Sequence, residues 1–86
     1  MSAPNVTLTV LLFAQAREQA GAGRLELELP AGSRVSDALA ALTRDHPGLV
    51  ALRPNLAVAL DGELVRGDVL LATGAELALL PPVSGG

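Results

Sequence analysis

The chain has no cysteine, lysine, tyrosine or tryptophan, and only one phenylalanine, one histidine and one methionine. Without cysteine there is no disulfide, no thiolate nucleophile and no cysteine-ligated metal. Without lysine, no side-chain amine can accept an acyl group from the chain's own C-terminus. The basic residues are six scattered arginines within a net charge of −3. With neither a basic stripe nor a row of aromatic platforms, nucleic acid is excluded as a partner class. No apolar run approaches the ~18–20 residues of a membrane span, and the opening MSAPNVTLTV has no basic leader region. The expectation is a cytoplasmic protein without a membrane partner.

Reactive constellations are equally scarce. His46 precedes Pro47 at the end of a predicted helix, where interaction with the helix's negative end accounts for it. GELVRGD is bounded by glycine but lacks the lysine and the spacing of a phosphate loop. Glu26 and Glu28 share a strand face with no base, nucleophile or metal ligand beside them. Nothing resembles a triad or a metal cage, so the chain is a poor candidate for a self-contained enzyme.

What is present is aliphatic: 18 Leu and 15 Ala among 86 residues, half the chain being apolar. That suffices for one core and one domain. Residues 6–13, VTLTVLLF, read as a strand with Val6, Leu8, Val10 and Leu12 on one face; Leu11 and Phe13 end the other. AQAREQAGAG reads as a short turn or frayed helical turn broken by glycine. Residues 24–30, RLELELP, alternate cleanly, with Leu25, Leu27 and Leu29 inward. Ser33 is placed to cap a helix in which Val35, Ala38, Leu39 and Leu42 recur at one-sided spacing, and Pro47-Gly48 stops it. LAVAL, residues 56–60, reads as a strand turned by Asp61-Gly62 into a short ELV strand. RGDVLLATG reads as loop, and AELALLP, residues 75–81, as the last strand, with Leu77 and Leu79 inward. The order β-β-α-β-(β)-β around one helix is α+β.

The ending LLPPVSGG poses the functional question. Pro81 and Pro82 have no N–H to extend a ladder, and two successive prolines stiffen the exit. Val83 and Ser84 then lead to Gly85 and Gly86, which lack a Cβ and so fit a narrow channel. With no other reactive group in the chain, the terminal acyl group is the best candidate for the chemistry. The reading is a domain over residues 1–80 that presents a tail, residues 81–86.

FAQAREQAG near the start, the DG turn, and LLPPVSGG at the end together resemble the small, sulfur-carrying subunit of molybdopterin synthase, over essentially the whole chain. That family is related to the sulfur carrier of the thiamine pathway. The resemblance implies a ubiquitin-like β-grasp fold: a mixed sheet of four to five strands with one main helix packed across it. It implies that Gly86 is adenylated by a ubiquitin-activating-like enzyme that uses ATP, then converted by a sulfurtransferase donor to a thiocarboxylate. It implies no bound cofactor and no metal in the carrier itself. The partner implied is the large synthase subunit, in a heterotetramer of two small and two large chains. Pro81, Pro82, Val83, Ser84 and Gly85 would thread into that subunit, and the sulfur would pass to a cyclic pyranopterin phosphate. By position, Phe13 resembles the family's exposed aromatic contact, Arg17 its ion-pairing residue, and Leu64 and Leu80 its apolar contacts. In β-grasp folds the first and last strands are neighbours, which would join Leu11, Phe13, Ala78 and Leu80 in one patch. Where family members often carry aromatics before the prolines, this chain has Leu79-Leu80. The competing readings are a sulfur carrier for thiamine, cysteine or tRNA thiolation, a ubiquitin-like protein modifier, and a β-grasp interaction module with an inert tail.

Overall fold

The computed structural model describes residues 4–81. The expectations for Pro82, Val83, Ser84, Gly85 and Gly86 lie outside the described residues. Nine elements follow one another: β1 (Asn5–Leu12), α1 (Ala14–Ala20), β2 (Arg24–Pro30), α2 (Val35–Asp45), two 3₁₀ turns (Pro47–Leu49 and Arg53–Asn55), β3 (Ala57–Leu60), β4 (Glu63–Leu64) and β5 (Glu76–Leu80). The strands form one mixed sheet in the order β2-β1-β5-β3-β4. β5 is central; β1, between β2 and β5, is antiparallel to the first and parallel to the second. The α+β arrangement read from the sequence is the one observed.

Period-2 alternation in the strands and the one-sided pattern of α2 meet in a single core. Leu8, Val10, Leu12, Leu77 and Leu79 from the sheet are buried, as are Val35, Ala38, Ala41 and Leu42 from α2. Each fully buried leucine contributes roughly 1.5–3 kcal/mol of transfer free energy relative to an exposed one. The 3₁₀ turn Pro47–Leu49 closes the core with Leu49. There α1 packs closely, because the Gln19 side chain occupies the space where a Cβ on Gly48 would fall.

Two local readings need correction. AQAREQA is a seven-residue helix, α1, rather than a frayed turn; burial of Ala16 fixes it and Gly21 ends it in the left-handed conformation. Short helices are marginal alone and are held by packing, which local propensity cannot report. Ser33 does not cap α2. It is buried, its carbonyl accepts the Leu71 N–H at 2.9 Å, and Arg34 is the residue that precedes the helix. The cap comes from carboxylates instead: Asp37 accepts the Arg34 N–H at 2.8 Å, and Asp68, from a distant loop, accepts both the Ser36 N–H (2.8 Å) and its hydroxyl (2.7 Å). These hydrogen bonds from Ser36, the backbone one first, hold the Asp68 carboxyl below the usual carboxylate range. The RGDVLLATG stretch is the loop expected, and it is anchored to the fold. Leu70 bridges to Arg34, and Leu71 is buried in the core.

Asp61 and Gly62, both with positive φ, make the tight turn between β3 and β4, as the Asp-Gly pair anticipates. The Asp61 side chain also accepts the Glu76 N–H at 2.9 Å, tying that hairpin to the start of β5.

Candidate functional site: an open sheet face beside the tail

One face of the sheet is covered by α2; the other faces outward, and register decides what it shows. Leu11 lies opposite Ala78, Ala78 opposite Ala59, and Ala59 opposite Leu64. Partners in a ladder point to the same side. This outer face therefore carries a continuous apolar row across four strands. One step toward the tail, Leu80 lies opposite Ala57. Phe13 continues the outward face of β1, and its N–H donates to the Leu79 carbonyl at 3.2 Å, which carries it alongside Leu80. Phe13 is 43% exposed and Leu64 61%, while Leu80 and Ala78 are half-buried.

The shape follows from residue size. Alanines at 57, 59 and 78 form a shallow floor, and Leu11, Phe13, Leu64 and Leu80 stand around it. Ala59 is buried even though it is on the open face. The same face turns polar away from the tail: Thr9 lies opposite Glu26 and Glu76, and Thr7 opposite Glu28. A partner that matched this face would be apolar near the tail and basic further away.

The structure brings Phe13, Leu64 and Leu80 onto this one face. Arg17 is placed one helical turn beyond Phe13, at the rim. Its side chain lies across the Gly21–Gly23 turn, where a Cβ on Gly23 would fall 3.3 Å from its Nε. Among the described residues no carboxylate pairs with Arg17; the single ion pair is Arg44–Asp45 on the surface. Pro81, the first residue past β5, is exposed and borders a groove of about 400 Å³ walled by Phe13, Ala16, Leu52 and Leu56. Sequence reading missed Ala57 and Ala59. The signal was available, because a two-residue turn at Asp61-Gly62 obliges residue 59 to face residue 64.

Among the described residues no group of three or more His, Asp or Glu side chains could hold a metal ion. No described helix is long and apolar enough to cross a membrane.

The model of the ThiS family matches residues 10–86 of this chain. The chain belongs to the ThiS family. A molybdopterin synthase sulfur carrier subunit from Arabidopsis thaliana is 38% identical over 95% of this chain and 85% of its own length. Small archaeal modifier protein 1 from Haloferax volcanii is 37% identical, over 87% of this chain and 95% of its own. Among solved structures, a putative molybdopterin converting factor subunit 1 from Pyrococcus furiosus superposes with a TM-score of 0.83 at 29% identity, covering 91% of this chain and 99% of the other. The ubiquitin-like β-grasp expected from the sequence is thus the observed fold of this ThiS-family chain.

Proposed function

We propose that this chain is the sulfur-carrying small subunit of a molybdopterin synthase. The observation that carries the reading is the continuity of the apolar sheet face, through Phe13 and Leu80, with the point where a diglycine tail leaves the fold. Family membership and the names of the relatives support the same assignment. The working atom is the acyl carbon of Gly86. A carboxylate is a poor electrophile, and nothing among the described residues could activate it. An ATP-dependent adenylyltransferase therefore forms the acyl adenylate and releases pyrophosphate. The terminal sulfur of a sulfurtransferase persulfide displaces AMP to give an acyl disulfide, and a second thiol of the donor cleaves the S–S bond, closing a disulfide on the donor and releasing the thiocarboxylate.

The large synthase subunit then docks on the open face, with Phe13, Leu64 and Leu80 as apolar contacts and Arg17 paired to a carboxylate. Residues 81–85 thread toward its active site, and sulfur passes to a cyclic pyranopterin phosphate to build the dithiolene. The complex is a heterotetramer of two small and two large subunits, acting in the cytoplasm. Cysteine is absent, so a covalent sulfur has no side chain to ride on; this favours the terminal acyl group.

The Haloferax volcanii relative favours a second reading, a modifier joined to other proteins through the same activated terminus. One experiment separates the two. Incubated with activating enzyme, ATP and a sulfur source, the chain should gain the mass of exchanging one oxygen for one sulfur, localised to Gly86 by fragmentation. The species should vanish when the large subunit and pterin precursor are added, and should not form without ATP. Activation that ends only in amide-linked adducts, with no sulfur incorporated, overturns the carrier assignment.

A further inference from the structure

The two edges of the sheet are unequal. β4 has two residues, whereas β2 runs for seven, Arg24–Pro30, and pairs only with β1. What its free side offers follows from the hydrogen bonds just beyond its two ends. The Leu12 N–H donates to the Gly23 carbonyl at 2.9 Å, and the Ala31 N–H to the Pro4 carbonyl at 3.1 Å. Hydrogen-bonded positions alternate in an antiparallel ladder, so Leu25, Leu27 and Leu29 exchange their bonds with Val10, Leu8 and Val6. The Thr9 N–H, bonded to the Ala75 carbonyl on the other side of β1 at 3.0 Å, agrees with that parity. The N–H and C=O groups of Arg24, Glu26 and Glu28 therefore point out of the sheet, a row open to another strand.

Charged side chains on an edge usually oppose such pairing. Here their order favours one partner, a second copy of the same strand. Two copies of β2 set antiparallel about Glu26 bring Arg24 of each opposite Glu28 of the other, and Leu25 opposite Leu27 on the inner face. Every outward N–H of Arg24, Glu26 and Glu28 then meets a carbonyl. These three side chains are exposed, and none belongs to the one ion pair among the described residues, Arg44–Asp45. Leu25 and Leu27 are only half-buried, so the same contact covers hydrocarbon left open at the edge. Registers shifted along the strand fit less well. One sets Glu26 against Glu28 and Arg24 against Pro30, which has no N–H to give. The other leaves Glu28 beyond the end of the second strand. The unfavourable contact in the chosen register is Glu26 facing its own copy.

We propose that the free edge of β2 is a self-pairing surface, through which two copies of this chain join their sheets about a twofold axis at Glu26. The contact is isologous, each copy giving and receiving the same pairs. It engages a single strand edge, well short of the area of a permanent dimer, so the association is weak and reversible. It does not depend on the carrier reading. Leu80 on β5 and Leu64 on β4 lie on the far side of β1 from this edge and stay uncovered. Because the copies are antiparallel, their β5 strands end at opposite ends of the joined sheet.

The test is sedimentation equilibrium of the full chain at low ionic strength, up to about 1 mM, where weak contacts of this size become populated. The wild type should show a reversible monomer–dimer equilibrium, and amide exchange at Arg24, Glu26 and Glu28 should slow as the dimer forms. Arg24→Glu and Glu28→Arg each turn opposite charges into like charges across the axis, and each should weaken dimerisation roughly 10-fold. The double variant restores opposite charges in reversed order and should return to within about 3-fold of wild type. Glu26→Gln removes the repulsion at the axis and should tighten the dimer about 2-fold or more. The double variant also guards against misfolding, since a damaged strand is not rescued by a second charge reversal. A chain that stays monomeric throughout overturns the proposal. So does a dimer indifferent to both single reversals, which places its contact on another face. A double variant no better than the single ones, or a Glu26→Gln chain that dimerises more weakly, overturns the pairing about Glu26.

Discussion

The two ends of the sheet are held by different forces. At the end where β1 and β5 begin, side chains stitch distant segments together: Thr73 to Thr7, Asp68 to Ser36, Arg34 to the Asp68 carbonyl, and Asp61 to Glu76. Every long-range side-chain hydrogen bond among the described residues belongs to this end. At the other end, where Phe13 and Pro81 lie, the side chains meet solvent as bare hydrocarbon around an alanine floor. The difference teaches where each kind of interaction is useful. Directional hydrogen bonds fix the loops that close the fold. An apolar surface gains most when it is covered later, by another molecule.

If that division is right, damage at the two ends should separate stability from binding. The largest effect expected is from Leu77→Ala. Leu77 is fully buried, and its truncation should cost about 2–5 kcal/mol of folding stability. Chemical denaturation should show that loss, while the fraction that remains folded binds its partner with unchanged affinity. A change in intrinsic affinity after Leu77→Ala would break the separation.

Phe13→Ala should do the reverse. With 43% of Phe13 already exposed, the melting temperature should move little. If Phe13 is the apolar contact proposed above, its truncation should weaken association by about 2 kcal/mol. Equilibrium unfolding beside a binding titration would settle it, and a large fall in stability with normal binding would place Phe13 among the core residues.

The smallest effect concerns the stitched end and depends on pH. Asp68 has a folded-state pKa below its ordinary value of 3.8 because Ser36 donates two hydrogen bonds to the ionised form. A lowered folded pKa means the unfolded chain binds more protons in the interval between the two values. The stabilisation from Asp68 is therefore fully present well above 3.8, erodes as pH falls past it, and is gone below the folded pKa. Asp68→Asn should lower the urea midpoint slightly at neutral pH and leave a progressively smaller difference from wild type as pH falls below 3.8. Equal differences at both pH values would remove Asp68 from the acid sensitivity of the fold. Because Asp68 is exposed, the effect should also shrink in salt.

Much of this was legible in the order of residues. RLELELP announces a half-buried strand by alternation alone, and the spacing of Val35, Ala38, Leu39 and Leu42 announces which side of α2 is covered. The Asp-Gly pair announces its turn. The seven-residue helix α1 was not legible, because its stability comes from burying Ala16 and from Gln19 packing over Gly48. The cap on α2 was not legible either. Ser33 has the right chemistry at nearly the right position, but Asp68, 32 residues from Ser36 in sequence, does the work.

The sequence by itself determined the aliphatic core, the α+β order of elements, and the absence of thiol and lysine side chains. Those depend on composition and on periods of two or of about three and a half residues, which the chain carries locally. Tertiary structure alone decided that Ala57 and Ala59 of β3 lie beside Leu80 and Ala78 of β5, extending to Leu64 a patch that was expected only through the family resemblance. The reason is that face is a local property of a strand, whereas neighbour is not. Which strands adjoin is set by pairing segments far apart in the chain, here β1 with β5, and no local pattern encodes that choice.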